Sequence, residues 1–144
     1  MHRVLEWLRR QLTPRRRDVP VVSFDALAGQ WRDADASDAD GHDELTVTTF
    51  NIWNDPHFAA ERHLAIAELV SKHGPDITVF QEVTPDALKT LLAHPWVRIH
   101  CFCAAVTDHD VGNYGMLLLS RIPLRNVVYT RLASRRRAAS YRPS

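Results

Sequence analysis

Two polar residues stand where an apolar pattern stops. Asn51 follows Val47-Thr48-Thr49-Phe50, and Glu82 follows Ile77-Thr78-Val79-Phe80-Gln81. A carboxylate at the end of a buried strand is costly unless it is paired or binds a cation. If the two runs are adjacent parallel strands, Asn51 and Glu82 lie side by side at their carboxyl ends, where sites form in α/β sheets. One carboxylate with one amide suits a corner of a Mg²⁺ site, because Mg²⁺ takes one or two carboxylates and keeps waters. The plainer alternative is that Asn51 caps a turn and Glu82 is simply exposed ahead of the next helix.

Other candidates read as structural. The two cysteines form Cys101-Phe102-Cys103. In a strand they share a face. With no third Cys to build a zinc site, they read as small buried hydrophobes and not as a metal or redox pair. The five Asp between Asp33 and Glu44 lack the Gly and Glu spacing of an EF-hand loop and read as solvated linker.

The elements that must position Asn51 and Glu82 follow from periodicity. Leu45 to Ile52 alternates and is β-branched, which predicts a strand. Ala59 to His73 has a helical stripe of Ala60, His63, Leu64, Ile66, Ala67 and Val70, opposite Glu61, Glu68 and Lys72. Gly74-Pro75 ends it. Ile77 to Phe80 is a second strand, running out at Gln81-Glu82-Val83. Thr84-Pro85-Asp86 opens a second helix with an N-cap, Pro at N1 and an acid in the first turn, ending before Pro95. Trp96 to Ala104 reads as a third strand, Thr107 to Asn113 as a polar loop, Gly115 to Ser120 as a fourth strand and Asn126 to Leu132 as a fifth. Strand, helix, strand, helix and then strands predict an α/β layered fold. Upstream, Met1 to Leu12 reads as a short amphipathic helix within a loosely ordered leader, and Val19 to Trp31 as a short strand and turn.

Three segments in this order resemble the N-terminal motifs of the endonuclease/exonuclease/phosphatase superfamily. They are Thr48-Thr49-Phe50-Asn51-Ile52-Trp53, then Gly74-Pro75-Asp76-Ile77-Thr78-Val79-Phe80-Gln81-Glu82-Val83, then Tyr114 to Leu124 with its Ser120-Arg121-Ile122-Pro123-Leu124 ending. The wording is closest to the branch resembling tyrosyl-DNA phosphodiesterase 2. The resemblance implies the N-terminal half of a four-layered α/β/β/α sandwich, with a mixed sheet and helices on one side. It implies Mg²⁺, or Mn²⁺ in its place, held directly by Glu82, with Asn51 assisting at the metal or the phosphate; both residues carry catalytic roles in that reading. It implies substrates that are nucleic acids or small phosphodiesters. Tyr114 could line the substrate cleft, or it packs at the strand entrance.

The same resemblance implies downstream motifs of the H-L-x-S, Asp-x-Asn and Asp-His kinds, and none can be placed. After Leu124 the remaining 20 residues contain no Asp and no His. The expectation is a truncated domain over 45–132, inactive alone, behind a basic leader and acidic linker at 1–44 and ahead of an Arg-rich tail at 133–144. Its bare sheet face would favour self-association.

The formal net charge of +1 does not suggest a dedicated nucleic-acid binder. The ends are nonetheless basic: residues 1–17 hold six Arg and residues 121–144 hold seven, around an acidic segment at 18–44. A non-catalytic module that binds nucleic acid through these ends therefore stays open, as does a gene fragment with no independent role. No apolar run approaches the length of a membrane span, and the N-terminus lacks a signal-peptide core. The cytoplasm is the default expectation.

Overall fold

The structure, a computed structural model, describes residues 15–35, 41, 43–107 and 114–131. The expected helix at Met1–Leu12, much of the acidic linker, most of the loop before Tyr114 and the tail at 133–144 lie outside these residues.

The chain forms two compact units, Asp18–Val127 and the two chain ends. In the terminal unit, β1 (Arg15–Val19) pairs with β8 (Val127–Arg131) in a two-stranded sheet, and the Arg17 guanidinium lies 5.4 Å over the Tyr129 ring.

The larger unit is a mixed six-stranded sheet ordered β3-β2-β6-β7-β5-β4. Its strands are β2 (Val22–Asp25), β3 (Gln30–Asp33), β4 (Val47–Asn51), β5 (Ile77–Val83), β6 (Phe102–Val106) and β7 (Gly115–Ser120). Only β4 and β5 run parallel, in the register Val47↔Ile77 to Asn51↔Gln81; the other pairs are antiparallel. The hairpin β2–β3 turns at Asp25, whose Oδ1 accepts from the Leu27 and Ala28 N–H groups, and at Gly29, whose φ of +66° suits a residue without Cβ. The sheet thus extends upstream of Leu45.

Helix α1 (Ala59–His73) crosses from β4 to β5, as its periodicity predicts. Gly74, at φ +56°, closes it by donating its N–H to the Val70 carbonyl. The buried stripe is His63, Ile66, Ala67 and Val70. Leu64, expected in that stripe, is 52% exposed, and Ala60 is exposed as well. At 100° per residue, both fall on the flank of a stripe centred on Ile66 and Ala67. Helix α2 (Pro85–Ala93) opens on Thr84, whose hydroxyl accepts from the Ala87 N–H at 3.2 Å.

The expected strand Trp96–Ala104 is not one. Pro95–His100 is a helix, α3, and the strand begins only at Phe102. His94 plays the part of Thr84: its ring Nδ1 accepts from the Trp96 N–H at 3.3 Å, and Pro95 follows at N1. Pro95 therefore starts a helix as well as ending one. The β-prone Trp96, Val97 and Ile99 follow the cap, with Val97 buried.

All three helices join one core cluster with the sheet: Ile66 and Val70 of α1, Ala87 and Leu91 of α2, and Val97 of α3 meet Phe80, Val83, Cys103, Leu117 and Leu119. The helices therefore cover one face. Successive strand residues alternate sides, so Val47, Thr49, Val79, Met116 and Leu118 lie on the other. There Val47 is 62% and Met116 38% exposed. Cys101 and Cys103 are free, buried thiols within the core.

A clasp closes one end of the sheet. The Asp76 carboxylate accepts from the Thr46 N–H at 2.9 Å, and the N–H groups of Asp76 and Ile77 reach back to the Thr46 carbonyl. Arg121 donates its N–H to the Asp76 carbonyl at 2.8 Å and its guanidinium to the Gly74 carbonyl at 2.7 Å. Ser120 Oγ donates to the Ile122 carbonyl at 2.7 Å, locking the turn after β7.

Candidate functional site

At the opposite end, β4 and β5 finish together. Parallel pairing sets Asn51 opposite Gln81, one residue short of Glu82. The Asn51 Nδ2 donates to Glu82 Oε1 at 2.9 Å. The juxtaposition expected from the two strand ends is present, in direct contact.

The backbone aims Glu82. The pairing of β5 with β7 slips between Gln81↔Met116 and Val83↔Gly115, leaving Glu82 as an extra residue at φ +60°. This is a bulge whose inserted residue adopts the left-handed conformation, a position usually given to glycine. Strict alternation from Thr78 and Phe80 would turn Glu82 into the helix-side core. The bulge instead gives that place to Val83, which is fully buried, and releases Glu82 toward Asn51. A non-glycine residue here costs about 1 kcal/mol or more. Such strain is characteristic of functional positions.

The loop after β4 completes the arrangement. Glu82 Oε2 accepts from the Asn54 N–H at 3.1 Å, and Asn51 Oδ1 accepts from the Trp53 N–H at 3.0 Å. Both Glu82 oxygens are thus held, each by a single donor. The Asn51 amide, and after it the Asn54 N–H, hold the Glu82 carboxyl below its ordinary value against a smaller opposing effect of desolvation. Glu82 is therefore an ionised, oriented carboxylate at neutral pH.

The donor set suits a hard, oxygen-loving cation. Each carboxylate oxygen accepts one hydrogen bond and retains capacity for another partner. Among the described residues no group of three or more His, Cys, Asp and Glu could hold a metal. One fixed carboxylate suits a corner of a Mg²⁺ site, because Mg²⁺ takes one or two carboxylates and keeps waters.

Tyr114 precedes Gly115, the partner of Val83, and so stands at the same sheet end, 42% exposed. Gly115 itself admits no side chain: a Cβ there would lie 1.6 Å from the Val106 carbonyl oxygen. The part of Asn54 escapes sequence reading because its contribution is a main-chain N–H. The bulge escapes it because Glu is the wrong residue type to announce a left-handed position.

The Endonuclease/Exonuclease/phosphatase family model matches residues 48–142, which takes in both strand ends and all of the clasp but Thr46. The chain belongs to this family. Among solved structures, the crystal structure of truncated Caenorhabditis elegans TDP2 is similar, with a TM-score of 0.45 and 22% sequence identity. That match covers 53% of this chain and 29% of the other, so this chain spans less than a third of its length. A comparison with curated proteins finds no match. Among the described residues, no helix is long and apolar enough to cross a membrane.

Proposed function

We propose that residues 45–124 carry the metal-holding corner of a hydrolase that cleaves phosphodiesters. Glu82 binds Mg²⁺ or Mn²⁺ directly, and Asn51 orients Glu82 and the shell around the metal. The observation that carries this reading is the strained bulge that withdraws Glu82 from the core and hands both its oxygens to fixed donors. A bound divalent ion would polarise a phosphoryl oxygen and stabilise the charge that grows there. The chain's own part is to hold one ionised carboxylate still at the mouth of the sheet. Family membership supports nucleic acids or smaller phosphodiesters as substrates, and Tyr114 stands at the sheet end where such a substrate would approach.

Residues 1–144 contain no H-L-x-S and no Asp-x-Asn sequence, their one Asp-His pair, Asp108-His109, precedes the Tyr114–Leu124 segment, and the 20 residues after Leu124 offer no Asp or His to position an attacking water or a second phosphate contact. In-line displacement needs those groups assembled together. The chain of 144 residues is therefore proposed to bind metal with little or no turnover. Its apolar sheet face supports self-association, which sedimentation across a concentration series would reveal.

Titration with Mn²⁺, followed by electron paramagnetic resonance, tests the site. Saturable binding weakened by Glu82→Gln is expected, and equal binding by both proteins refutes it. Hydrolysis of bis(p-nitrophenyl) phosphate and of a 5′-phosphotyrosyl oligonucleotide with Mg²⁺ tests the second claim. Robust turnover abolished by Glu82→Ala would overturn the proposed inactivity.

A further inference from the structure

Arg62 is oddly placed for a helix. It lies in the first turn of α1, where the helix dipole disfavours a cation. Its contacts explain the choice. Nε donates to the Ile52 carbonyl at 3.2 Å, and one terminal nitrogen donates to the carbonyls of Trp53 at 2.8 Å and Asp55 at 2.7 Å. The other terminal nitrogen donates to the His57 carbonyl. The guanidinium carbon sits 4.8 Å from the centre of the Trp53 ring. One side chain thus gathers four main-chain carbonyls from the loop that joins β4 to α1.

That loop needs such a centre. Trp53 and Phe58 both adopt positive φ, at 58° and 46°, without being glycine. The N-terminus of α1 has no side-chain cap of its own. The loop's carbonyls converge on Arg62, while the N–H groups of Trp53 and Asn54 point the other way, to Asn51 and Glu82. A peptide unit cannot turn one of its dipolar ends without turning the other.

We propose that Arg62 is a positioning residue for the Asn51–Glu82 site. By fixing the carbonyls of Ile52, Trp53, Asp55 and His57, it fixes the direction of the N–H groups that hold Glu82 and Asn51. The metal part of the proposal rests on the reading of Glu82 given under Proposed function. Lysine cannot take this place. Its ammonium is a point charge without the planar fork that reaches several carbonyls at set angles. Groups that orient a metal ligand from behind typically change metal affinity about 10–100-fold when replaced.

The test compares the full chain with Arg62→Lys by amide hydrogen exchange and Mn²⁺ titration. The Trp53 and Asn54 amides should exchange at least about tenfold faster in Arg62→Lys, while those of Phe80 and Leu117 keep their rates. Mn²⁺ affinity should fall about tenfold. Uniform acceleration everywhere would mean general destabilisation, and it overturns the proposal, as does an unchanged loop. Should Arg62→Lys fail to fold, the wild-type chain still decides. An Asn54 amide that exchanges at the rate of an open coil refutes the clamp, and a protected one upholds it. Wild-type chain that binds no Mn²⁺, or Glu82→Gln that binds it equally well, sinks the metal reading alone. The exchange rates then judge Arg62 by themselves.

Discussion

The bulge at Glu82 makes a prediction whose sign is unusual. Two variants, Glu82→Gly and Glu82→Ala, both remove the carboxylate and both lose the contacts to Asn51 and the Asn54 N–H. They differ in what a φ of +60° costs them. Alanine retains a Cβ that crowds the backbone in the left-handed region, a penalty of roughly 1–2 kcal/mol. Glycine pays no such penalty but loses about 0.5–1 kcal/mol through the freedom of its unfolded chain. The net expectation is that Glu82→Gly is the more stable by about 0.75 kcal/mol, the difference between the midpoints of these two ranges. At Val79, an ordinary position on the same strand, only the glycine cost operates, so Val79→Gly should fall below Val79→Ala. Urea unfolding of the four proteins, with equal denaturant slopes, reads the two differences directly. Opposite signs at the two positions confirm that strand β5 is bent on purpose. If Glu82→Gly proves no more stable than Glu82→Ala, the left-handed conformation is absent, and the account of how Glu82 escapes the core fails.

Three further outcomes can be checked. Gly115→Ala drives a Cβ against the Val106 carbonyl and must part β6 from β7; a loss of about 3 kcal/mol or more by urea unfolding is expected. His63 is 3% exposed, its Nε2 has no hydrogen-bond partner among the described residues, and burial, with Arg62 nearby, pulls its pKa below the ordinary 6.5. The unfolded chain therefore takes up a proton that the folded chain refuses, so stability is full above pH 6.5 and declines below it; His63→Leu should flatten the change in urea midpoint between about pH 7 and 5.5. Burial pushes the Cys101 thiol up to about 12 and the Cys103 thiol upward too, so both should resist iodoacetamide in the folded protein and react once urea unfolds it.

Much of this architecture is legible in the residues. The bounds of α1 follow from its apolar spacing and from Gly74, and α2 announces itself through Thr84-Pro85. The meeting of Asn51 and Glu82 follows from two apolar runs joined by one helix. The losses have local causes. Pro95–His100 is six residues long, too short for a helical period to outweigh β-prone side chains, and a histidine cap is less obvious than a threonine. The hairpin β2–β3 joins the sheet through a single register pair between β2 and β6, Val22↔Cys103, a long-range choice that local pattern does not encode. Arg62 left one clue, a cation in the first turn of a helix. Its meaning depends on the carbonyls of a loop, which carry no side-chain signature.

The clasp at the far end of the sheet bears on how such chains are recognised. Asp76, Arg121 and Ser120 lie in two of the segments that resemble the family's motifs, yet their hydrogen bonds tie strand ends, the end of α1 and the turn after β7, and approach neither Glu82 nor Asn51. At these residues the resemblance testifies to carpentry. An exchange of Glu82 for alanine would leave every one of these joints in place. The joints that hold these strands together and the proposed metal corner thus stand at opposite ends of the same sheet, and a change at one leaves the hydrogen bonds of the other intact.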